Sequence, residues 1–101
     1  MLPSAPEWDL AEARRIVLSK LRGYRAQVFL FGSRASGGAG CYSDIDIGIL
    51  PGEALPVGLL AELREALEES RIIYAVDVID LSEVSDIFRS RVICEGVRWN
   101  E

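Results

Sequence analysis

The sequence contains no histidine and only two cysteines among its 101 residues. Without histidine, the chain cannot build a Ser-His-Asp triad, a Cys-His pair or an imidazole metal ligand. Two cysteines do not supply a structural zinc site of the usual Cys/His composition. Chemistry in this chain must therefore rest on carboxylates, hydroxyls, backbone amides, Lys or Arg side chains, or a metal ion held by oxygens. Cys41 and Cys94 are expected to be free thiols, with a disulfide as the open alternative.

Long apolar runs and an excess of basic residues are also missing. No segment approaches the roughly 20 apolar residues of a membrane span, and the N-terminus lacks the apolar region of a signal peptide. We therefore expect a cytoplasmic protein without membrane contact. The 16 Asp and Glu residues outnumber the 11 Lys and Arg residues, which gives a net charge of -5 and argues against direct binding of long nucleic acid. The length fits a single domain over residues 1–101.

The apolar pattern predicts alternating helices and strands. In chain order we expect a helix over 7–22, strands over 27–31 and 44–50, a helix over 56–70, a strand over 71–81 and a final helix ending near residue 95. Ser82 is the expected cap of the final helix, Gly96 is its expected end, and its expected buried residues are Ile87, Phe88, Val92 and Ile93. The predicted fold is an α/β (α+β) domain in which helices pack on a small mixed sheet.

Two carboxylates stand out in the strand predicted over 44–50. Asp44 and Asp46 are two residues apart, so their side chains point to one face with Cα atoms about 7 Å apart. The isoleucines at alternating positions point to the opposite, core face. Two like charges this close cost free energy, and Mg²⁺ would compensate them, because it takes oxygen ligands and is often held by one or two carboxylates plus phosphates. The alternative is a strand with one face in solvent.

A third acid, Asp77, interrupts the next apolar strand, where an unpaired carboxylate is costly. If that strand lies beside the previous one, Asp77 meets Asp44 and Asp46 on one face. Three such carboxylates can hold two metal ions about 4 Å apart, an arrangement that serves phosphoryl displacement. Asp80 faces the other way and is interpreted as a strand-end or helix-entry residue.

The first predicted strand runs directly into Gly32, Ser33 and Arg34. Glycine allows close backbone approach to a ligand, a serine hydroxyl and backbone amides can hold a phosphate, and the guanidinium adds a charged contact. An ordinary strand-to-helix turn is the alternative. The segment matches neither the Walker A motif nor the G-x-G-x-x-G motif.

The segment FGSRASGGAGCYSDIDIGI, followed by VDVID, resembles the nucleotidyltransferases of the DNA polymerase β superfamily. More narrowly, it is similar to the minimal nucleotidyltransferases (MNT proteins) of bacteria and archaea, which share the Gly-Ser, the D-x-D pair about ten residues later and the later acid. The resemblance implies a polymerase β-like core in which Gly32, Ser33 and Arg34 bind the nucleotide. It also implies that Asp44, Asp46 and Asp77 bind two Mg²⁺ ions, with ATP as substrate and Asp77 able to help deprotonate the acceptor hydroxyl.

The resemblance further implies a partner. Minimal nucleotidyltransferases often pair with a small helical HEPN protein, and in such toxin–antitoxin pairs the nucleotidyltransferase is the antitoxin that transfers AMP to a tyrosine of the toxin. The acceptor site would then come from the partner or from a second copy of this chain. Two alternatives remain open: a non-catalytic antitoxin that neutralises its partner by binding, and transfer to a small molecule or an RNA end.

Overall fold

The computed structural model describes residues 7–31 and 45–100. Three α-helices occur within these ranges: α1 (Glu7–Lys20), α2 (Leu59–Glu68) and α3 (Asp86–Glu95). The strands there are β1 (Ala26–Phe31), β2 (Ile45–Pro51), β3 (Val76–Asp80) and β4 (Val97–Arg98), and a 3₁₀ turn covers Leu81–Glu83. No helix in the described part of the chain is long and apolar enough to cross a membrane.

The strands form one mixed sheet in the order β3-β2-β1-β4. Strand β1 pairs antiparallel with β2 and with β4, whereas β2 pairs parallel with β3. Helix α2 lies between the two parallel strands in the chain, because parallel neighbours need a crossover connection. The predicted α/β class with a small mixed sheet is therefore confirmed.

One face of the sheet carries the main hydrophobic core beneath α1 and α2. The alternating isoleucines of β2, Ile45, Ile47 and Ile49, are fully buried there, as their spacing predicted. Val28 and Leu30 of β1 lie beside them in the ladder. The helices α1 and α2, the segments that directly follow them and the C-terminal segment complete this core with Ala13, Ile16, Val17, Leu21, Leu59, Leu63, Leu67, Ile72 and Trp99.

The opposite face carries a second, smaller cluster, formed by Phe29, Phe31, Leu81 and Val92. Leu81 belongs to the 3₁₀ turn and Val92 to α3, so this helix covers part of the face on which Asp46 lies. The alternative of a strand face open to solvent is therefore wrong for most of β2. Packing on both faces also explains why the central strand is buried over Ile45–Ile49.

Three expectations about the C-terminal half are wrong. Strand β3 begins at Val76 and not at residue 71, so it is half as long as predicted. Helix α3 is capped by Ser85, whose hydroxyl accepts the backbone N–H of Phe88, whereas Ser82 lies in the 3₁₀ turn. Ile87 and Ile93 are exposed, at 77% and 40%. The apolar residues of α3 are spread around the helix, so their spacing could not identify the buried side.

The segment after α3 forms the edge of the sheet opposite β3. Gly96 ends the helix as predicted, and β4 pairs with β1. The Asn100 side chain then continues the ladder, because its Oδ1 accepts the Val28 N–H at 2.9 Å and its Nδ2 donates to the Ala26 carbonyl at 2.6 Å. Cys94 is an exposed free thiol, and Cys41 lies outside the described residues.

Candidate active site

One row of side chains crosses three strands at the end of the sheet where β1 stops and β2 and β3 start. Phe31 pairs with Asp46 in the β1–β2 ladder, and Asp46 pairs with Asp77 in the β2–β3 ladder. Paired residues of neighbouring strands share a face, and the strands lie about 4.8 Å apart. The row Phe31–Asp46–Asp77, called here the acid row, therefore places two carboxylates side by side. The expected adjacency of the second and third strands is confirmed.

The two carboxylates differ in their access to solvent. Asp46 lies on the central strand and is 1% exposed, whereas Asp77 lies on the edge strand β3 and is exposed. Burial of a carboxylate is costly unless hydrogen bonds, a cation or both compensate it, and a second carboxylate nearby adds like-charge repulsion. A buried and an exposed carboxylate in register on neighbouring strands make the acid row a candidate for chemistry.

The helix α3 and the 3₁₀ turn form the wall beside the acid row. Leu81 is fully buried over Gly48, which is the residue on the same face of β2 next after Asp46. Phe88 of α3 meets Phe31 edge to face, with ring centroids 5.8 Å apart and an interplanar angle of 82°. Apolar groups therefore border the acid row on one side and exclude water there. On the other side, the row ends on the edge strand β3.

The other predicted site residues lie outside the described part of the chain. Gly32, Ser33, Arg34 and Asp44 fall in the segment 32–44, so their assignment as nucleotide or metal ligands stays a prediction. Asp80 behaves as expected of a strand-end residue, because it caps the 3₁₀ turn through a hydrogen bond from the Ser82 N–H at 2.9 Å.

The acid row fits a divalent cation of the Mg²⁺ type. Asp46 and Asp77 offer oxygen donors, which this ion prefers, and a cation would offset the repulsion between the two charges. Within residues 7–31 and 45–100 no three His, Cys, Asp or Glu side chains group closely enough to hold a metal ion. The third predicted acid, Asp44, lies outside those ranges.

The aromatic part of this site was missed by sequence reasoning. The sequence places Phe31 only in an apolar strand, and Phe88 only on the expected buried side of the final helix. The pairing of Phe31 with Asp46 depends on the antiparallel register of β1 and β2. The sequence did contain one indication that Phe31 lies near the site, since Phe31 ends the strand that leads into Gly32. Its contact with the Phe88 ring on α3 could not be inferred.

Comparison with known proteins gives a consistent result. The chain is 40% identical over 81 residues to the probable protein adenylyltransferase MntA of Haemophilus influenzae, an alignment that covers 80% of this chain and 69% of that protein. Among solved structures, it is similar to a chain in the complex of tri-AMPylated Shewanella oneidensis HEPN toxin with MNT antitoxin. That match has a TM-score of 0.65 and 22% identity, over 93% of this chain and 71% of the other.

A second solved structure, a toxin–antitoxin crystallised with AMP-PNP, matches with a TM-score of 0.59 and 27% identity, over 86% of this chain and 72% of the other. The family described as Polymerase beta, Nucleotidyltransferase matches residues 21–98, which is more than half of the chain and includes the whole acid row. The resemblance seen in the Gly-Ser and D-x-D motifs is thereby confirmed. The chain belongs to the polymerase β nucleotidyltransferase family.

Proposed function

We propose that this chain is an Mg²⁺-dependent adenylyltransferase that transfers AMP from ATP to a hydroxyl, most simply a tyrosine, of a HEPN-type partner, and that it acts as the antitoxin of that pair. The acid row carries the proposal: a buried and an exposed carboxylate stand in register on neighbouring strands of a nucleotidyltransferase fold. The relative named adenylyltransferase and the AMPylated complex supply the substrate and the partner.

The site residues have the following proposed roles. Asp44, Asp46 and Asp77 hold two Mg²⁺ ions, which would neutralise charge on the triphosphate and on the leaving group. Gly32, Ser33 and Arg34 bind the phosphates. In the reaction, the acceptor oxygen forms a bond to the α-phosphorus, the bond between the α-phosphorus and the pyrophosphate oxygen breaks so that pyrophosphate leaves, and the hydroxyl proton passes to the Asp77 carboxylate.

The two described acids suit different tasks. Asp46 is buried in the central strand, so its carboxylate is held in place by packing on both faces of the sheet. Asp77 is exposed on the edge strand, where an acceptor carried by another molecule can approach it. This division favours Asp46 as a fixed ligand and Asp77 as the carboxylate that also faces the acceptor hydroxyl. Because the proposed reaction uses ATP, we also propose a cytoplasmic location.

Neutralisation by binding alone is the second candidate function. Ile87, Ile93 and Val97 are apolar side chains exposed at 77%, 40% and 54% on α3 and β4, and a bound protein could cover them. In this case the acid row would be dispensable for the antitoxin effect.

The two functions can be separated by labelled ATP and matched variants. With the partner present, α-labelled ATP should label the partner and γ-labelled ATP should not. We expect Asp46→Asn and Asp77→Asn to reduce this transfer by at least about a hundredfold, because several kcal/mol of charge stabilisation is lost. Asp80→Asn is the control, since Asp80 lies three residues from Asp77 and caps the 3₁₀ turn.

The outcome in cells completes the test. If the double variant Asp46→Asn, Asp77→Asn still neutralises its partner fully, the binding function is correct and the transferase is not the antitoxin activity. If no nucleotide labels any acceptor, with or without the partner, the enzymatic proposal is wrong.

A further inference from the structure

The acid row ends at an aromatic pair that no motif predicted. Phe31 is 3% exposed and stands directly beside Asp46 in the β1–β2 ladder. Opposed residues of an antiparallel pair have Cβ atoms about 5 Å apart, so the Phe31 ring forms one side of the space that the Asp46 carboxylate occupies. On its other side, the Phe31 ring meets the edge of Phe88 at 5.8 Å between centroids. The position of Phe88 therefore limits where Phe31 can lie.

The start of α3, which carries Phe88, is held to the segment that follows strand β3. The first turn of α3 is fixed by Ser85, whose hydroxyl accepts the Phe88 N–H at 3.1 Å. Arg89, the next residue, donates to the Leu81 carbonyl at 2.6 Å and to the Val84 carbonyl at 3.0 Å. Leu81 follows directly on β3. The Arg89 bonds tie the start of α3 to the 3₁₀ turn directly after β3 and to Val84 beyond it, and the same turn packs on β2 through the contact of Leu81 with Gly48.

We propose that Phe88 is a positioning residue for the metal-binding carboxylates, because it braces Phe31 and thereby fixes the Asp46 side chain relative to Asp77. This inference rests on the proposed function, in which the two acids hold a divalent cation. The Phe88 ring contacts Phe31 of β1, while the start of its helix is hydrogen-bonded to the turn that follows β3, so this contact links the two strands that flank β2. Catalytic groups must be held to within a fraction of an ångström, and a displacement of about 1 Å can cost about a hundredfold in rate.

The test compares four single variants. Phe88→Leu removes the ring but keeps most of the volume, and Phe88→Tyr keeps the ring. Val92→Ala creates a cavity in the same apolar cluster, one turn further along α3, without removing either ring. Ile87→Ala changes a neighbouring side chain that is 77% exposed. All assays are run at least 15 °C below the lowest melting temperature, so that each protein is folded.

Two measurements are made on each variant. The first is the affinity for Mn²⁺, measured by electron paramagnetic resonance of the free ion on this chain alone. The second is AMP transfer to the partner at varied ATP and Mg²⁺, which separates kcat from KM. We expect Phe88→Leu to weaken Mn²⁺ binding and to lower kcat, each by about tenfold, while KM for the partner stays unchanged. Phe88→Tyr should retain the wild-type Mn²⁺ affinity and kcat.

A merely structural role predicts a different pattern. If Phe88→Leu changes only the melting temperature and matches Val92→Ala in Mn²⁺ affinity and kcat, the inference is wrong. If Ile87→Ala weakens Mn²⁺ binding as much as Phe88→Leu, the effect is not specific to the ring and the inference is also wrong. Failure of the wild-type chain to transfer AMP would refute the proposed function, and the Mn²⁺ titrations would still decide the role of Phe88.

Discussion

Gly48 and Leu81 provide a quantitative test of the packing beside the acid row. A Cβ on Gly48 would lie 2.9 Å from Leu81 Cδ1, 3.1 Å from Cγ and 3.3 Å from Cδ2. Gly48 does not have a positive φ, unlike Gly23 and Gly58. Glycine is therefore required at this position for space and not for backbone conformation, and the requirement comes from one side chain.

The expected effect of Gly48→Ala depends on whether Leu81 is present. Alone, the extra methyl group overpacks the cluster and should lower the free energy of unfolding by about 1–3 kcal/mol, which is a fall of about 4–8 °C in melting temperature for each kcal/mol. Leu81→Ala alone creates a cavity and should cost about 2–5 kcal/mol. In the double variant all three clashing atoms are gone, and the new methyl group fills part of the cavity.

A double-mutant cycle measures this coupling. Gly48→Ala should be neutral or stabilising in the presence of Leu81→Ala, so the interaction free energy should be about 1–3 kcal/mol in favour of the double variant. Urea unfolding can be followed through Trp99, which is 8% exposed, after Trp8→Phe removes the signal of the 57%-exposed Trp8. Gly52→Ala, at an exposed position just after β2, is the control for adding a methyl group, because the atom nearest to its Cβ would be the Arg25 Cβ at 3.3 Å.

The cycle can refute the packing described for this face. If Gly48→Ala costs the same free energy with and without Leu81→Ala, Leu81 does not set the space over Gly48. The apolar packing beside the acid row would then differ from the contact of Leu81 with Gly48, and the proposed positioning role of Phe88 would lose its structural basis.

Four further substitutions test the packing at Gly96, the cap of α3 and the hydrogen bonds of Asn100. Gly96→Ala should lower the free energy of unfolding by about 3 kcal/mol or more, which thermal unfolding would measure. Its Cβ would lie 2.6 Å from the Val92 carbonyl oxygen and 3.1 Å from the Leu30 carbonyl oxygen. These are backbone atoms, which cannot move aside as a side chain can. Ser85→Ala should cost about 1 kcal/mol through loss of the α3 cap, whereas Ser82→Ala should leave α3 intact; urea unfolding of both variants distinguishes the two serines. Asn100→Ala removes two hydrogen bonds to β1 and should cost about 1–2 kcal/mol, with faster hydrogen exchange at the Val28 amide; an unchanged exchange rate would contradict the role of Asn100 in the ladder.

The strands that carry the acids were predictable because their sequence obeys a simple geometric rule. Alternation in β2 separated the buried isoleucines from Asp46, and an acid inside the apolar strand β3 indicated a partner on the neighbouring strand. The register Asp46–Asp77 agrees with both inferences. These predictions needed only the period of a strand and the cost of burying charge.

The surroundings of the acids were not predictable in the same way. Helix α3 has apolar residues on all sides, so Ile87 and Val92 look equivalent in sequence although one is 77% exposed and the other 0%. The β-branched run that begins at residue 72 suggested a longer strand, but Ile73 is 86% exposed and β3 starts only at Val76. Tertiary contacts decide such cases, because propensity alone is a weak constraint.

The position of Asp77 at the sheet edge also has a consequence for how an acceptor reaches the acid row. The Ile45 N–H donates to the Ala75 carbonyl, which therefore faces β2. Backbone groups along a strand point to alternate sides from one residue to the next, so the Val78 carbonyl, three residues later, faces away from β2 at the open edge. The guanidinium of Arg64 on α2 donates two hydrogen bonds to that carbonyl oxygen, at 3.3 and 2.9 Å. Addition of a partner strand at this edge would have to displace the guanidinium, which disfavours recognition by strand pairing. If the proposed transfer is correct, we therefore expect an acceptor that approaches Asp77 from this side to be recognised by side-chain contacts and not by strand pairing.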